Sequence, residues 1–170
     1  MSERIYTIGH STRSLDELIR LLLENGVARL ADIRRFPGSR RYPHFSRESL
    51  AQTLPEHGIE YEHIPQLGGR RKESADSPHT ALRNAQFRGY ADHMLTAEFQ
   101  EGMQRLLSSD KTTAIMCAEA VPWRCHRNFV SDELVRRGIE VVHIIGFGSC
   151  KRHELNPIAR IESDHLVYRG

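Results

Sequence analysis

Apolar and polar positions along this chain follow two alternating patterns. Five short runs are continuously apolar or alternate in the way of a β-strand; they cover residues 5–9, 29–34, 59–64, 112–117 and 141–145. Between them, apolar residues recur every three or four positions, which is typical of amphipathic helices. Three of these helices are predicted to begin after a capping side chain, namely Ser14, Ser46 and Thr96. A fourth is predicted over 127–137, ending at Gly138.

This order of elements predicts a three-layer α/β fold in which a mostly parallel sheet of about five strands carries helices on both faces. Runs 112–117 and 141–145 suit central positions because they are apolar nearly throughout. The order of the strands stays open. We treat residues 1–170 as one domain, within which 66–86 is a long loop or lid. Residues 155–169 are expected to add a small edge element.

Composition and charge narrow the class of protein. With 39% hydrophobic residues, 27% charged residues and a net charge of +2, the chain is an ordinary globular one without a strong overall field. No apolar run has the length of a membrane span, and the N-terminus lacks the pattern of a signal peptide. Three cysteines do not form a secreted disulfide framework, so we expect reduced thiols and a cytoplasmic location.

Reactive side chains concentrate where the predicted strands end. Ligands of open parallel α/β sheets bind beyond the carboxyl ends of the strands, so these side chains are expected to meet at one cleft. The candidates are His10 and Ser11 after the first strand, Asp32, Arg34 and Arg40 after the second, and Cys117, Glu119, Cys125, His126 and Arg127 after the fourth. The aromatic residues Phe36, Tyr42, Phe45 and Trp123 are expected near the same mouth.

Several of these segments, in order, resemble the family known as domain of unknown function 488. The segments that carry the resemblance are Thr7-Ile8-Gly9-His10-Ser11-Thr12, Asp32-Ile33-Arg34 with Pro37 and Ser39-Arg40, Leu67-Gly68-Gly69, Tyr90-Ala91, Met116-Cys117-Ala118-Glu119 and Cys125-His126-Arg127. The resemblance spans residues 5 to about 144. It implies a compact α/β domain of mainly prokaryotic occurrence and gives weight to these motifs, but it implies no reaction.

The residue types at the cleft point first to anion binding with acid–base chemistry. Arg34, Arg40 and Arg127 are predicted to hold a phosphate group, aided by the amino end of the helix that begins near Cys125. In the leading hypothesis Glu119 is the acid–base group and Asp32 assists it. His10, Ser11 and His126 are predicted to orient the substrate.

The predicted activity is therefore an enzyme, of the hydrolase type, that acts on a phosphate-bearing nucleotide or nucleic-acid component. Cys117 is an alternative nucleophile if a histidine activates it, or else a small buried core residue. A phosphatase or rhodanese loop does not fit, because six residues rather than five separate Cys117 from Arg124.

Two further classes stay open. The first is a non-catalytic nucleotide or nucleic-acid binding module that adds the basic triplet 70–72 to the same arginines. The second is a metal-binding or redox-responsive protein that uses the cysteines, although the chain has no Cys-x-x-Cys pair and we assign no metal ligand. No cofactor is assigned. The scattered histidines His44, His57, His79, His93 and His153 are predicted to be surface residues.

Overall fold

A six-stranded sheet forms the centre of the computed structural model, which describes residues 4–38, 41–122 and 125–169. The strands are β1 (Arg4–Gly9), β2 (Arg29–Asp32), β3 (Glu60–His63), β4 (Thr113–Cys117), β5 (Glu140–Gly146) and β6 (Ser149–Arg152). Their order is β3-β2-β4-β1-β5-β6, and every neighbouring pair is parallel except β5 and β6. The predicted mostly parallel sheet is confirmed, with β6 as an added antiparallel edge.

Helices cover both faces of this sheet. They are α1 (Leu15–Glu24), α2 (Arg47–Thr53), α3 (Ala85–His93), α4 (Ala97–Leu107) and α5 (Arg127–Arg136). Short 3-10 turns lie at Pro43–Phe45, Leu54–His57 and Pro65–Leu67. The predicted caps are confirmed, since the hydroxyls of Ser14, Ser46 and Thr96 each accept a hydrogen bond from a backbone N–H three residues on. The helix α3 was not predicted.

Two apolar cores lie on opposite faces of the sheet. Helices α1 and α2 pack on one face, around Leu18 and Leu50, whereas α3, α4 and α5 pack on the other, around Tyr90 and Phe129. The connection that follows β1 therefore runs over one face of the sheet, whereas the connection that follows its neighbour β4 runs over the other face. This divergence is the topological switch point at which α/β sheets open a crevice for a ligand.

A C-terminal hairpin closes the second core. Strands β7 (Ala159–Glu162) and β8 (His165–Tyr168) pair antiparallel in a sheet of their own, and Tyr168 is fully buried. The predicted edge element thus exists as a separate pair of strands. No helix of the described residues is long and apolar enough to cross a membrane.

The prediction that all five scattered histidines are surface residues is wrong for three of them. His79, His93 and His153 are buried. Each finds a polar partner: the ring of His79 accepts from the Tyr168 N–H at 3.1 Å, His93 bonds the Gln66 carbonyl at 2.7 Å, and His153 lies 2.7 Å from an Asp132 carboxylate oxygen. Burial of a histidine depends on such partners, which are distant in sequence.

Gly9 allows the segment after β4 to cross the end of β1. A methyl group at Gly9 would overlap the carbonyl of Glu119, whereas one at Gly146, near the end of β5, would meet no atom within 4 Å. We therefore expect Gly9→Ala to lower the free energy of unfolding by about 1–3 kcal/mol. Urea unfolding would measure this, with Gly146→Ala as the control. Equal effects of the two substitutions would show that the crossing tolerates a side chain.

Candidate functional site

A cavity of about 310 Å³ opens at the carboxyl ends of the strands, as the switch point predicts. Its wall comes from the segments after β2 and β4, from residues 69–70, from α3 and from the segment that leads into α5. Five predicted site residues line it, namely Arg34, Cys117, Glu119, Cys125 and His126. Segments far apart in sequence therefore do meet at one place.

Arg34 reaches the cavity from a buried ion pair with Asp32. Oxygen Oδ1 of Asp32 accepts hydrogen bonds from Nε and the backbone N–H of Arg34, at 2.9 and 3.1 Å. Oxygen Oδ2 accepts from Nη2 of Arg34 at 2.7 Å and from the Tyr61 hydroxyl at 2.6 Å. Asp32 is fully buried and is not part of the cavity wall. Asp32 thus lies behind the wall as the ion-pair partner of Arg34, and not in the cavity itself, where the predicted acid–base group was expected.

His10 and Ser11 lie beside the cavity and not in its wall. The buried His10 ring stacks on Phe45 with 4.5 Å between ring centroids, and its Nδ1 lies 3.0 Å from the Ser11 carbonyl oxygen. Burial lowers the pKa of His10 to about 4, so the ring is neutral near pH 7. The N–H of Ser11 donates to the carbonyl of Ala118, which lines the cavity. Both residues thus lie behind the cavity wall, and their predicted role in orienting a substrate stays a prediction.

Arg127 is the first residue of α5, and its side chain is buried outside the cavity wall. Its Nη2 donates to the Ala120 carbonyl at 3.3 Å, while Nε and Nη1 have no hydrogen-bond partner among the described residues. Burial and the nearby Arg13 lower the pKa of Arg127 to about 10, which leaves it charged at neutral pH. The predicted role of Arg127 in holding the anion is not supported by this placement.

His126 lines the cavity as a neutral ring. Its Nε2 lies 3.0 Å from the Ile33 carbonyl, which can only accept a hydrogen bond, so this nitrogen carries the proton. Burial lowers the pKa of His126 to about 4. The ring stands next to Tyr90, with 5.2 Å between centroids. His126 can therefore shape the wall and present a lone pair on Nδ1, but it adds no positive charge.

Cys117 and Cys125 lie together in the wall of the cavity. Their sulfur atoms are in contact, but 7.3 Å separates the two Cα atoms, which is more than a disulfide spans without a shift of the backbone. Cys150 is exposed on β6. The expectation of reduced thiols at these positions stays a prediction. The interpretation of Cys117 as a buried residue at the end of its strand is confirmed, since it is 1% exposed.

Glu119 is exposed at the cavity, two residues beyond β4. In the described part of the chain, its carboxylate takes part in no hydrogen bond or ion pair. This sets it apart from Asp32, although both carboxylates follow strands in the same way. Among the predicted acid–base candidates, Glu119 is the one that a ligand in the cavity can reach.

A basic and aromatic rim completes the site. Phe36 is 66% exposed, and the guanidinium carbons of Arg35 and Arg70 lie 5.3 and 5.9 Å from the centre of its ring. Nη1 of Arg35 also donates to the Arg70 carbonyl at 2.7 Å, which ties the two sides of the rim together. Of the predicted aromatic group, Phe36 lines the cavity, whereas Tyr42 and Phe45 do not.

The loop 66–86 contributes to the site at its beginning and is anchored beyond it. Gly69 and Arg70 line the cavity. The side chain of Arg71 donates to the carbonyls of Gly68 and Pro65, at 3.0 and 2.9 Å, so only part of the basic triplet faces a ligand. Gln86, Phe87 and Tyr90 of α3 were missed as cavity residues, because that helix was not predicted. The Tyr90-Ala91 motif was the one signal that marked this region.

Some predictions fall outside the described residues. Arg40, proposed to hold the anion, and Trp123 both do. For metal binding, the described residues contain no group of three or more His, Cys, Asp or Glu side chains that could hold an ion.

Comparisons with known proteins connect the chain to one family. The model of the family described as Domain of unknown function DUF488 matches residues 14–134. That range takes in the ends of β2 and β4, the rim and the start of α5. No curated protein and no solved structure matches the chain.

Proposed function

The chain belongs to the DUF488 family, and we propose that it is a cytoplasmic enzyme that hydrolyses a phosphate-bearing nucleotide or nucleic-acid component in this cavity. The observation that carries the proposal is the meeting, in one cavity, of arginines, an exposed aromatic ring and a carboxylate that has no ion-pair partner within residues 4–38, 41–122 and 125–169. The partner we propose is thus a phosphate-bearing small molecule or nucleic acid, and not a membrane.

The anion would bind mainly to the rim. The charge of Arg34 is already neutralised by Asp32, so Arg34 can orient a bound anion but adds little net positive charge. Arg35 and Arg70 form no ion pair within the described residues, and their guanidinium groups can hold a phosphate in a bidentate manner. Phe36, which both guanidinium groups approach and which is 66% exposed, offers aromatic surface against which a base can stack. This combination favours a nucleotide over inorganic phosphate.

The acid–base step would rest on Glu119. The carboxylate of Glu119 has no hydrogen-bond or ion-pair partner among the described residues, so it can accept the proton of an attacking water while the guanidinium groups of the rim neutralise the phosphate. Asp32 cannot share this role, because both of its oxygens accept hydrogen bonds from Arg34 and Tyr61. Among the described residues that line the cavity, Glu119 supplies the carboxylate that can accept this proton.

The test separates binding from turnover. We would measure the affinity for mononucleotides and short single-stranded oligonucleotides by calorimetry, and hydrolysis by chromatography. Arg70→Ala is expected to weaken binding about tenfold, as for the loss of one charge-assisted contact. Glu119→Gln is expected to lower kcat about 100-fold or more while the affinity is retained. The controls are Arg20→Ala on α1 and Glu56→Gln in the 3-10 turn that precedes β3, both at exposed positions.

Each outcome decides between the two classes. Turnover that survives Glu119→Gln contradicts the assignment of the base. Binding without turnover in the unmodified protein, with an affinity that falls steeply as salt rises, indicates the non-catalytic binding module instead. No binding of any of these ligands would reject both.

A further inference from the structure

The sulfur atoms of Cys117 and Cys125 lie next to each other in the cavity wall, where a small molecule can reach them but a macromolecule cannot. Both residues line the cavity, yet they are only 1% and 6% exposed. Cys117 is the last residue of β4, and Cys125 lies two residues before α5. A bond between them would therefore link the two ends of the segment that carries Glu119. Chemistry at these sulfurs has one evident route of access, through the cavity.

The two sulfurs differ in their surroundings. Sγ of Cys125 accepts a hydrogen bond from the backbone N–H of Arg127 at 3.4 Å, at the amino end of the ten-residue helix α5. Both features favour negative charge on that sulfur, whereas the lone pair on Nδ1 of His126, 3.5 Å away, opposes it. Sγ of Cys117 has the Glu119 carbonyl oxygen at 3.8 Å, which also disfavours negative charge. Of the two sulfurs, Cys125 is the one that accepts a hydrogen bond from a backbone N–H, which favours it as the leaving group in thiol–disulfide exchange.

We propose that Cys117 and Cys125 form a reversible thiol–disulfide exchange site that serves small-molecule thiols entering through the cavity. In the oxidised form, a thiolate of the small molecule attacks Sγ of Cys117, the bond between the two cysteines breaks, and its electron pair leaves on Sγ of Cys125. A second small thiolate attacks the small-molecule sulfur of this mixed disulfide and releases Cys117. Cys117 and Cys125 each take up one of the two protons that the small thiols lost. Two small thiols are oxidised to one disulfide, and the protein disulfide is reduced to two thiols. The proposal does not depend on the hydrolytic function.

The first experiment tests whether the bond forms and opens in the folded protein. It uses Cys150→Ser to remove the exposed thiol. Because Arg124 separates the two cysteines, trypsin places them in different peptides, 112–124 and 125–127, which stay joined only by a disulfide. We expect mass spectrometry to find the peptides joined after mild oxidation, separate after dithiothreitol, and joined again on reoxidation. Peptides that stay separate after oxidation of the native protein would overturn the proposal.

The second experiment tests access through the cavity, with Cys150 as the matched control. The unmodified protein is oxidised so that Cys150 carries a mixed disulfide with 2-mercaptoethanol. Soluble dithiothreitol is expected to reduce both sites. A thiol fixed to agarose beads is expected to free Cys150 at least about ten times faster than the pair at 117 and 125. If the bead-bound thiol reduces Cys150 and the pair at 117 and 125 at equal rates, the cavity is not the route, and the proposed selectivity for small thiols is contradicted.

Discussion

Replacing Asp32 with asparagine is expected to lower the free energy of unfolding by about 3–5 kcal/mol, because it leaves the guanidinium of Arg34 buried without a countercharge. Asp32 is fully buried and Arg34 is 8% exposed. The carboxylate accepts two side-chain hydrogen bonds from Arg34, at 2.9 and 2.7 Å. Water cannot replace these contacts at such a depth, so the loss is far larger than for a surface pair.

The matched control is Asp16→Asn. Asp16 also pairs with an arginine, Arg20, at 2.9 Å, but its side chain is 74% exposed. This substitution is expected to cost less than about 1 kcal/mol. Urea unfolding at neutral pH would measure both variants, and Arg34→Gln combined with Asp32→Asn would give the coupling between the partners. If Asp32→Asn and Asp16→Asn cost the same, the buried pair does not hold the end of β2 in place.

The sequence could predict the region of the site because it depends on local signals. Each parallel strand ends where an apolar run gives way to polar residues, and the carboxyl ends of such strands share one edge. This reasoning predicted that a set of polar residues meets at one cleft, and five of them line the cavity: Arg34, Cys117, Glu119, Cys125 and His126. The strand order could not be predicted in the same way, since hydrogen bonds between β4 and both β1 and β2 join segments far apart in the chain.

The roles of individual side chains were harder to predict than their region. Asp32 and Glu119 both follow an apolar run. No local sequence signal shows that Arg34 and Tyr61 donate hydrogen bonds to the Asp32 carboxylate, whereas the Glu119 carboxylate has no such partner in the described part of the chain. Helix α3 was missed because its apolar periodicity is weak and Gly89 interrupts it. Gly89 is required there, since a side chain would overlap the backbone of Arg71.

Arg70 shows why the rim escaped prediction as a unit. It lies in a loop and has a left-handed backbone conformation, with φ of 59°. That conformation is unusual for a residue other than glycine, and no local pattern marks it. The contact of Arg70 with Phe36 forms across 34 positions of the chain. Such contacts become visible only when the fold is known.

Acid is expected to unfold this protein because buried imidazoles are held neutral inside it, three of them with strongly lowered pKa values. Burial lowers the folded-state pKa of His10 and His126 to about 4 and, with the neighbouring His153, that of His143 to about 3, from an ordinary value of 6.5. Between these values the unfolded chain binds more protons than the folded one, so the free energy of unfolding falls as the pH falls. The stabilisation is complete above 6.5 and is lost progressively toward pH 4.

At about pH 5 each of these imidazoles is expected to cost roughly 2 kcal/mol, so together they remove a large part of the stability of a domain of this size. Urea unfolding at about pH 7 and about pH 5 would measure the loss. His126→Gln, whose amide nitrogen takes the place of Nε2, keeps a donor for the Ile33 carbonyl but cannot titrate, and it should reduce the loss at about pH 5 by roughly 2 kcal/mol. His57→Gln, at an exposed position, should leave it unchanged. A pH dependence that is the same in His126→Gln as in the unmodified protein would mean that His126 is not held neutral, and that it brings a positive charge to the cavity after all.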